Sequence, residues 1–583
     1  MMKKLWPYAR PYALWIAAGV ACSAMEAVFE LLIPLVMSDI VDIGIANGDQ
    51  SFILRKGALM VVLALASLCF GVGAAVASSV AGMGFGANIR KAEYDHIQTF
   101  AFSNIEGFST ASLVTRLTND VHNMQMSLMM SMRLLVRAPV MLVSALFFSI
   151  RISYRLSNVF LVALPLLVAV VTILLSKVGP MFRSLQEKTD ALNLVVQENL
   201  AGMRVVKSFV RGDHEREKFQ KRNEDLKATS LRAFGRVIIN MPLMMLIIYG
   251  TIIAVLWFGG QMVYAGTLEA GKLITYFTYI TQIMMSLMMV SMIFMMLTRT
   301  VACARRVTEV LNETPAITDD RAELGEDGLP AAVAGGSIDF DHVSFRYSAE
   351  STEWILRDIT LHIASGETVG ILGGTGSGKT SLVSLIPRLY EADEGTVSVG
   401  GRPVECYTME HLRESVSMVL QKNTLFSGTI RENLLWGNPQ ATEEELWAAC
   451  HAACADEFLE RMPERLDTDL GQGGVNVSGG QKQRLCIARA ILKRPKVLIL
   501  DDSTSAVDAA TDAKIRAAFA GELKDATKLI IAQRVASVRE ADRILVMDGG
   551  RIVAQGTHDE LMKTCPIYQE VYQSQQEGAS IHG

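Results

Sequence analysis

The sequence predicts two architectures in series: an all-α membrane domain of six helices, then an α/β domain. Three observations carry this. Six long apolar segments fill the first half, near Tyr12–Ser38, Ala58–Gly82, Leu134–Ile152, Val159–Lys177, Val237–Gly260 and Leu273–Leu297. A stretch rich in Pro, Gly and acids follows, Asn312–Gly336, with the composition of a domain boundary. From Ser337 short β-type runs alternate with helical ones. The expected boundaries are 1–311 for the membrane domain, 312–336 for the linker, 337–575 for the α/β domain and 576–583 for a tail.

Each apolar segment reaches the roughly 20 residues that a helix needs to cross about 30 Å of hydrocarbon. Arg151 and Arg155 crowd the short turn between the third and fourth. Lys3, Lys4 and Arg10 precede the first segment, and nine basic residues between Arg183 and Arg222 follow the fourth. The loop before the sixth carries a single Lys272. Basic loops stay cytoplasmic. Both termini and the α/β domain are therefore expected in the cytoplasm, with the chain in the cell (inner) membrane. Two long excursions, near 85–133 and 178–236, have helical patterning and read as membrane helices extended into the cytoplasm.

Composition agrees with a half-wet chain. Of 583 residues, 50% are hydrophobic and 20% charged, so a large part must face water. The net charge of −5 comes with no basic tract, which argues against a nucleic-acid partner. Cys450 and Cys454 lie one helical turn apart, but no second Cys/His pair completes a zinc set, and the eight cysteines read as isolated thiols. The apolar run after MMKK is too long for a signal peptide, and further spans follow it.

The chemistry sits in the second half. Gly373-Gly374-Thr375-Gly376-Ser377-Gly378-Lys379-Thr380 fits the phosphate-binding P-loop without a mismatch, between a strand-like run and a helix-like one that starts near Ser381. Its glycines let backbone N–H groups face phosphates. Lys379 reaches the terminal phosphates in such a loop, and the Thr380 hydroxyl binds Mg²⁺. The run VLILDD places Asp501 at the end of a buried strand, where Mg²⁺ needs a carboxylate. ATP and Mg²⁺ are the expected cofactors.

Between these two motifs stands NVSGGQKQR. Ser478-Gly479-Gly480-Gln481 resembles the signature loop of ABC transporters. Tyr347 resembles the aromatic residue that stacks on adenine, Gln421 the Q-loop glutamine that contacts Mg²⁺, and Ser505-Ala506-Val507-Asp508 the D-loop. Gly107–Val121 and Val195–Glu215 resemble the two cytoplasmic coupling segments of the exporter branch. The resemblance covers nearly the whole chain. It implies a P-loop nucleotide-binding domain with a helical subdomain, and a dimer in which each ATP lies between one chain's P-loop and the other's signature loop.

Two departures fall on catalytic positions. The family's general-base Glu is Asp502 here, about 1.5 Å shorter. A misplacement of about 1 Å can cost on the order of 100-fold in rate. The family's switch His is Gln533, which hydrogen-bonds but cannot shuttle a proton. With the signature intact, this pattern implies a heterodimer: this chain holds ATP at a slow site and completes a competent one on a second ABC chain. A third departure, Gln472-Gly473, replaces the Glu-Arg pair usual before the signature.

Cargo is less legible. Glu26 and Glu30 lie four apart within the first span, where a carboxylate is costly and functional by default. They read as attracting a cationic cargo or a proton, or as a pair bonded to neighbouring helices through Gln282. Met285, Met289 and Met292 belong to a methionine stripe that suits varied apolar shapes, or plain packing. The expected function is export of small amphipathic compounds, drug-like or lipid-like. The alternatives are a metal-chelate importer and an ATP-gated regulator or channel.

Overall fold

The structure is a computed structural model. It describes residues 2–581 except 326–327, 329, 349–350 and 504–506; for some others, Met292 included, the side chain lies outside the described set. The chain forms two compact units, Met1–Gln98 with Thr110–Glu313, and Thr99–Ser109 with Thr314–Gly583.

The first unit is all helix. Its long helices are Ala13–Asp39, Gln50–Gln98, Val136–Ile152, Tyr154–Ala201, Gly212–Ile238, Asn240–Tyr264 and Ala270–Asn312. At 1.5 Å per residue, Gln50–Gln98 and Tyr154–Ala201 are about 70 Å long, more than twice the hydrocarbon thickness. Among the described residues five helices are long and apolar enough to cross a membrane. Tyr154–Val170, where the fourth span is expected, is a shorter apolar stretch at the head of its helix. Ser153 creates the break before it. Its extended backbone ends Val136–Ile152, and its hydroxyl caps the next helix by accepting from the Leu156 N–H at 3.3 Å.

Polar groups fasten these helices where apolar contact alone gives no direction. The Asp42 carboxylate caps Ala270–Asn312, accepting from the N–H groups of Gly271 at 2.6 Å and Lys272 at 3.0 Å. A Cβ on Gly271 would lie 2.7 Å from that carboxylate, so glycine is what lets it approach. The buried Tyr279 hydroxyl donates to the Leu31 carbonyl at 2.7 Å, and Tyr276 pairs with Ser157 at 3.0 Å. Near the end of Ala270–Asn312, Arg306 grips Asp120 with two bonds of 2.6 and 2.5 Å.

The second unit carries two sheets. Strands β1 (Ile338–Phe345), β2 (Leu356–Ile363), β4 (Glu394–Val399) and β5 (Arg402–Pro403) form an antiparallel sheet in the order β2-β1-β4-β5. Strands β3 (Thr368–Gly373), β6 (Val416–Val419), β7 (Val497–Asp501), β8 (Thr527–Ile531), β9 (Arg543–Asp548) and β10 (Arg551–Gly556) form the second, ordered β10-β9-β3-β8-β7-β6. Its strands are parallel except at the β9–β10 edge. Central β7 and β8 are buried at every residue, as their unbroken apolar runs require. Between β6 and β7 the chain adds a helical subdomain that includes Ile430–Leu434, Glu443–Ala452 and Gly479–Leu492. The last helix, Pro566–Ile581, runs through the expected start of the tail.

Candidate functional site

Open parallel sheets bind ligands at the carboxyl ends of their strands. There, β3, β7 and β8 deliver their residues to one cavity of about 420 Å³, lined by residues that include Gly373, Gly374, Thr375, Gly376, Lys379, Thr380, Gln421, Asp501, Asp502 and Gln533. Ser478, Gly479, Gly480 and Gln481 are not among its lining residues.

The P-loop follows β3 directly. Gly376 and Gly378 take φ of +82° and +92°, a region that favours glycine. A Cβ at Gly373 would strike the Met547 carbonyl oxygen at 2.4 Å. Lys379 folds over the loop and donates to the carbonyls of Gly373 at 2.9 Å and Gly374 at 2.7 Å. Burial lowers its pKa, against the opposing pull of Asp501 and Asp502. The Thr380 hydroxyl donates to Asp501 at 3.0 Å. Burial raises the Asp501 pKa while that hydrogen bond works the other way. Thr380, Asp501 and Gln421 all line this cavity, and their hydroxyl, carboxylate and amide oxygens are the hard donors that would hold Mg²⁺, with phosphate and water as its remaining partners. Ser377 within this loop and Ser381 just after it are buried.

The two departures touch. Gln533 Nε2 donates to Asp502 Oδ2 at 2.9 Å. Asp502 has φ of +48°, where Asp is tolerated better than most residues with a Cβ. Burial raises the Asp502 pKa, and hydrogen bonds from Gln421 and Gln533 work to lower it. Gln483 donates to the Asp502 carbonyl at 3.4 Å.

Tyr347 is 44% exposed and keeps a face for a base. Its hydroxyl shares a 2.8 Å hydrogen bond with Ser381, and its ring meets Tyr390 edge-on at 5.1 Å. Tyr390 in turn donates to Glu106 at 2.7 Å and lies 6.1 Å from the Phe102 ring. Phe102 and Glu106 belong to Thr99–Ser109, the segment packed within this unit. Sequence reasoning missed Tyr390 and Glu106, because a contact across 284 residues leaves no local pattern.

The signature residues open the helix Gly479–Leu492. The Ser478 N–H donates to Gln481 Oε1 at 2.8 Å, and Ser478 Oγ accepts from the Gln481 N–H, a reciprocal cap. Gly473 adopts φ of +65° in the loop before it, and Lys482 donates to its carbonyl at 2.8 Å. Of the D-loop, Ser505 and Ala506 lie outside the described residues.

In the first unit, Glu26 and Glu30 meet on Arg137, at 2.7 and 2.5 Å. The expected bridge through Gln282 is replaced by this guanidinium. Gln282 instead leaves its Oε1 buried without a hydrogen-bond partner among the described residues. Met285 is exposed and Met289 half-buried; the Met292 side chain lies outside the described set.

A helical membrane unit on the same chain as a P-loop ATP-binding domain defines an ATP-driven membrane transporter. Residues 16–287 match the ABC transporter transmembrane region, and residues 356–505 match the ABC transporter domain. Over 574 residues the chain is 37% identical to the uncharacterized ABC transporter ATP-binding protein YfiB of Bacillus subtilis, covering 98% of each chain. It is 32% identical over 486 residues to the ATP-dependent lipid A-core flippase of Desulfotalea psychrophila, covering 83% of each. The fold superposes with a TM-score of 0.78 and 21% identity on a bacterial Atm1-family ABC exporter solved with ATP bound, covering 97% of this chain and 98% of that one. The chain belongs to the ABC transporter family and is a multi-pass membrane protein with the exporter fold.

Proposed function

We propose that this chain is one half of a heterodimeric exporter, contributing a slow ATP site and the signature loop of its partner's competent site. The observation that carries the reading is the Gln533–Asp502 hydrogen bond. The carboxylate in the general-base position is short, and an amide that cannot relay a proton occupies one of its oxygens. The capped signature loop stands outside the cavity around Lys379, which suits service to a second chain. Both termini and the nucleotide-binding domain are cytoplasmic in this reading.

Ser478→Arg is therefore expected to abolish steady-state ATPase of the purified complex, because it disables the fast site. Asp502→Asn is expected to leave most of that activity. Equal loss from both, or a complex whose native mass is two copies of this chain, refutes the heterodimer.

The cargo is a small amphipathic, drug-like or lipid-like compound. The relative named a lipid A-core flippase supports the lipid-like end of that range. Two carboxylates on one guanidinium leave one negative charge within the first span's depth, which suits a cargo with one positive charge. A Glu26→Gln, Arg137→Gln, Glu30→Gln protein removes that charge without stranding the arginine. It is expected to move monocationic dyes more slowly than neutral ones in inverted vesicles. Unchanged transport of every cation tested removes this assignment.

A further inference from the structure

The C-terminal helix Pro566–Ile581 touches the ATP site twice. Val571 lines the cavity that holds Asp502 and Gln533. One turn on, Gln575 spans two backbone groups of the segment after β8. Its Nε2 donates to the Gln533 carbonyl at 2.7 Å, and its Oε1 accepts from the Val535 N–H at 2.8 Å. A side-chain amide carries a donor and an acceptor side by side, so one residue serves both groups. The two bonds hold the backbone on both sides of Arg534, and so set where the Gln533 side chain reaches. That side chain reaches Asp502 Oδ2.

We infer that Gln575 is a positioning residue of this ATP site, holding Gln533 where its amide caps Asp502. The two family departures then act as one device, and the C-terminal helix holds it shut. The amide N–H on Asp502 Oδ2 occupies the oxygen that would otherwise face an attacking water. Loosening the clasp at Gln575 should therefore act on Asp502 only through Gln533. This rests on the slow-site reading, and the experiment separates the two.

The test uses the purified full-length transporter with an azido-ATP probe and vanadate. It reads trapped nucleotide on the band of this chain. Gln533→Ala and Gln575→Ala are each expected to raise trapping on the order of tenfold, the size of one hydrogen bond to a charged group. The double variant should equal Gln533→Ala alone, since both changes cut one path. Gln575→Glu can still accept from Val535 but cannot donate to Gln533, so its trapping should fall between wild type and Gln575→Ala. It also carries the same cycle if the alanine variant does not fold. Trapping by Gln575→Ala equal to wild type overturns the proposal, as do effects that multiply in the double variant. Wild-type trapping as strong on this chain as on its partner overturns the slow site instead.

Discussion

Lys379→Ala is expected to weaken nucleotide binding at this chain's P-loop on the order of 100-fold. The side chain is half-buried, and its ammonium donates to the Gly373 and Gly374 carbonyls. A triphosphate offers the same ammonium stronger acceptors than these carbonyls. A charge-assisted bond is worth about 1.5–3 kcal/mol, and more where water is excluded, so the loss is on the order of 100-fold in Kd. The substitution also removes the clamp across the loop, which leaves the glycines at 376 and 378 with fewer restraints on their positive φ. Lys379→Arg separates the two effects. It restores a positive charge, but a planar fork replaces a point charge in a loop shaped for the latter. Binding should therefore recover only in part. Photolabelling of this chain with azido-ATP, titrated against unlabelled ATP, measures both. Labelling of Lys379→Ala at wild-type affinity would falsify the assignment of the site.

What the sequence made legible follows from how each signal is stored. The P-loop is eight contiguous residues, so its glycines, lysine and threonine read directly. Asp501 reads almost as well, because a buried strand ending in an acid is also a local pattern. Asp502 and Gln533 each stand out as departures, but their contact depends on register. Asp501 pairs with Ile531 across parallel β7 and β8, so the residues just beyond each strand end fall side by side. Nothing in either segment states that pairing. Gln575 is further from view: an amide on an amphipathic terminal helix looks like any solvated position until its two backbone partners are placed beside it. The membrane helices show the same division. Their existence follows from hydropathy, because lipid forces the backbone to satisfy itself. The fourth expected span is the weakest, since its apolar stretch leads a helix about 70 Å long with no second marker of where lipid ends. Side-chain partners between spans carry no signal of this kind.

Arg137 is the clearest such case, and its removal has the second large expected effect. Helical period alone puts Glu26 and Glu30 on one face of Ala13–Asp39. The cation that makes them tolerable stands on Val136–Ile152, more than a hundred residues away, with one guanidinium nitrogen on each carboxylate. A planar fork suits two acceptors held one turn apart. Gly71 leaves room beside the Glu26 carboxylate, which a Cβ would approach to 3.1 Å. Arg137→Gln deletes the shared cation and leaves two acids facing each other at low dielectric. Breaking a buried ion pair from one side costs about 3–5 kcal/mol; the side chains here are 14–37% exposed, so we expect about 3 kcal/mol. Replacing the whole group by neutral residues strands nothing, so the Glu26→Gln, Arg137→Gln, Glu30→Gln protein should regain most of that stability. Thermal unfolding of the three proteins in one detergent orders them: wild type and triple variant close together, Arg137→Gln well below. If Arg137→Gln unfolds with wild type, or if the triple variant falls as far, the guanidinium is not what holds the two acids in the membrane.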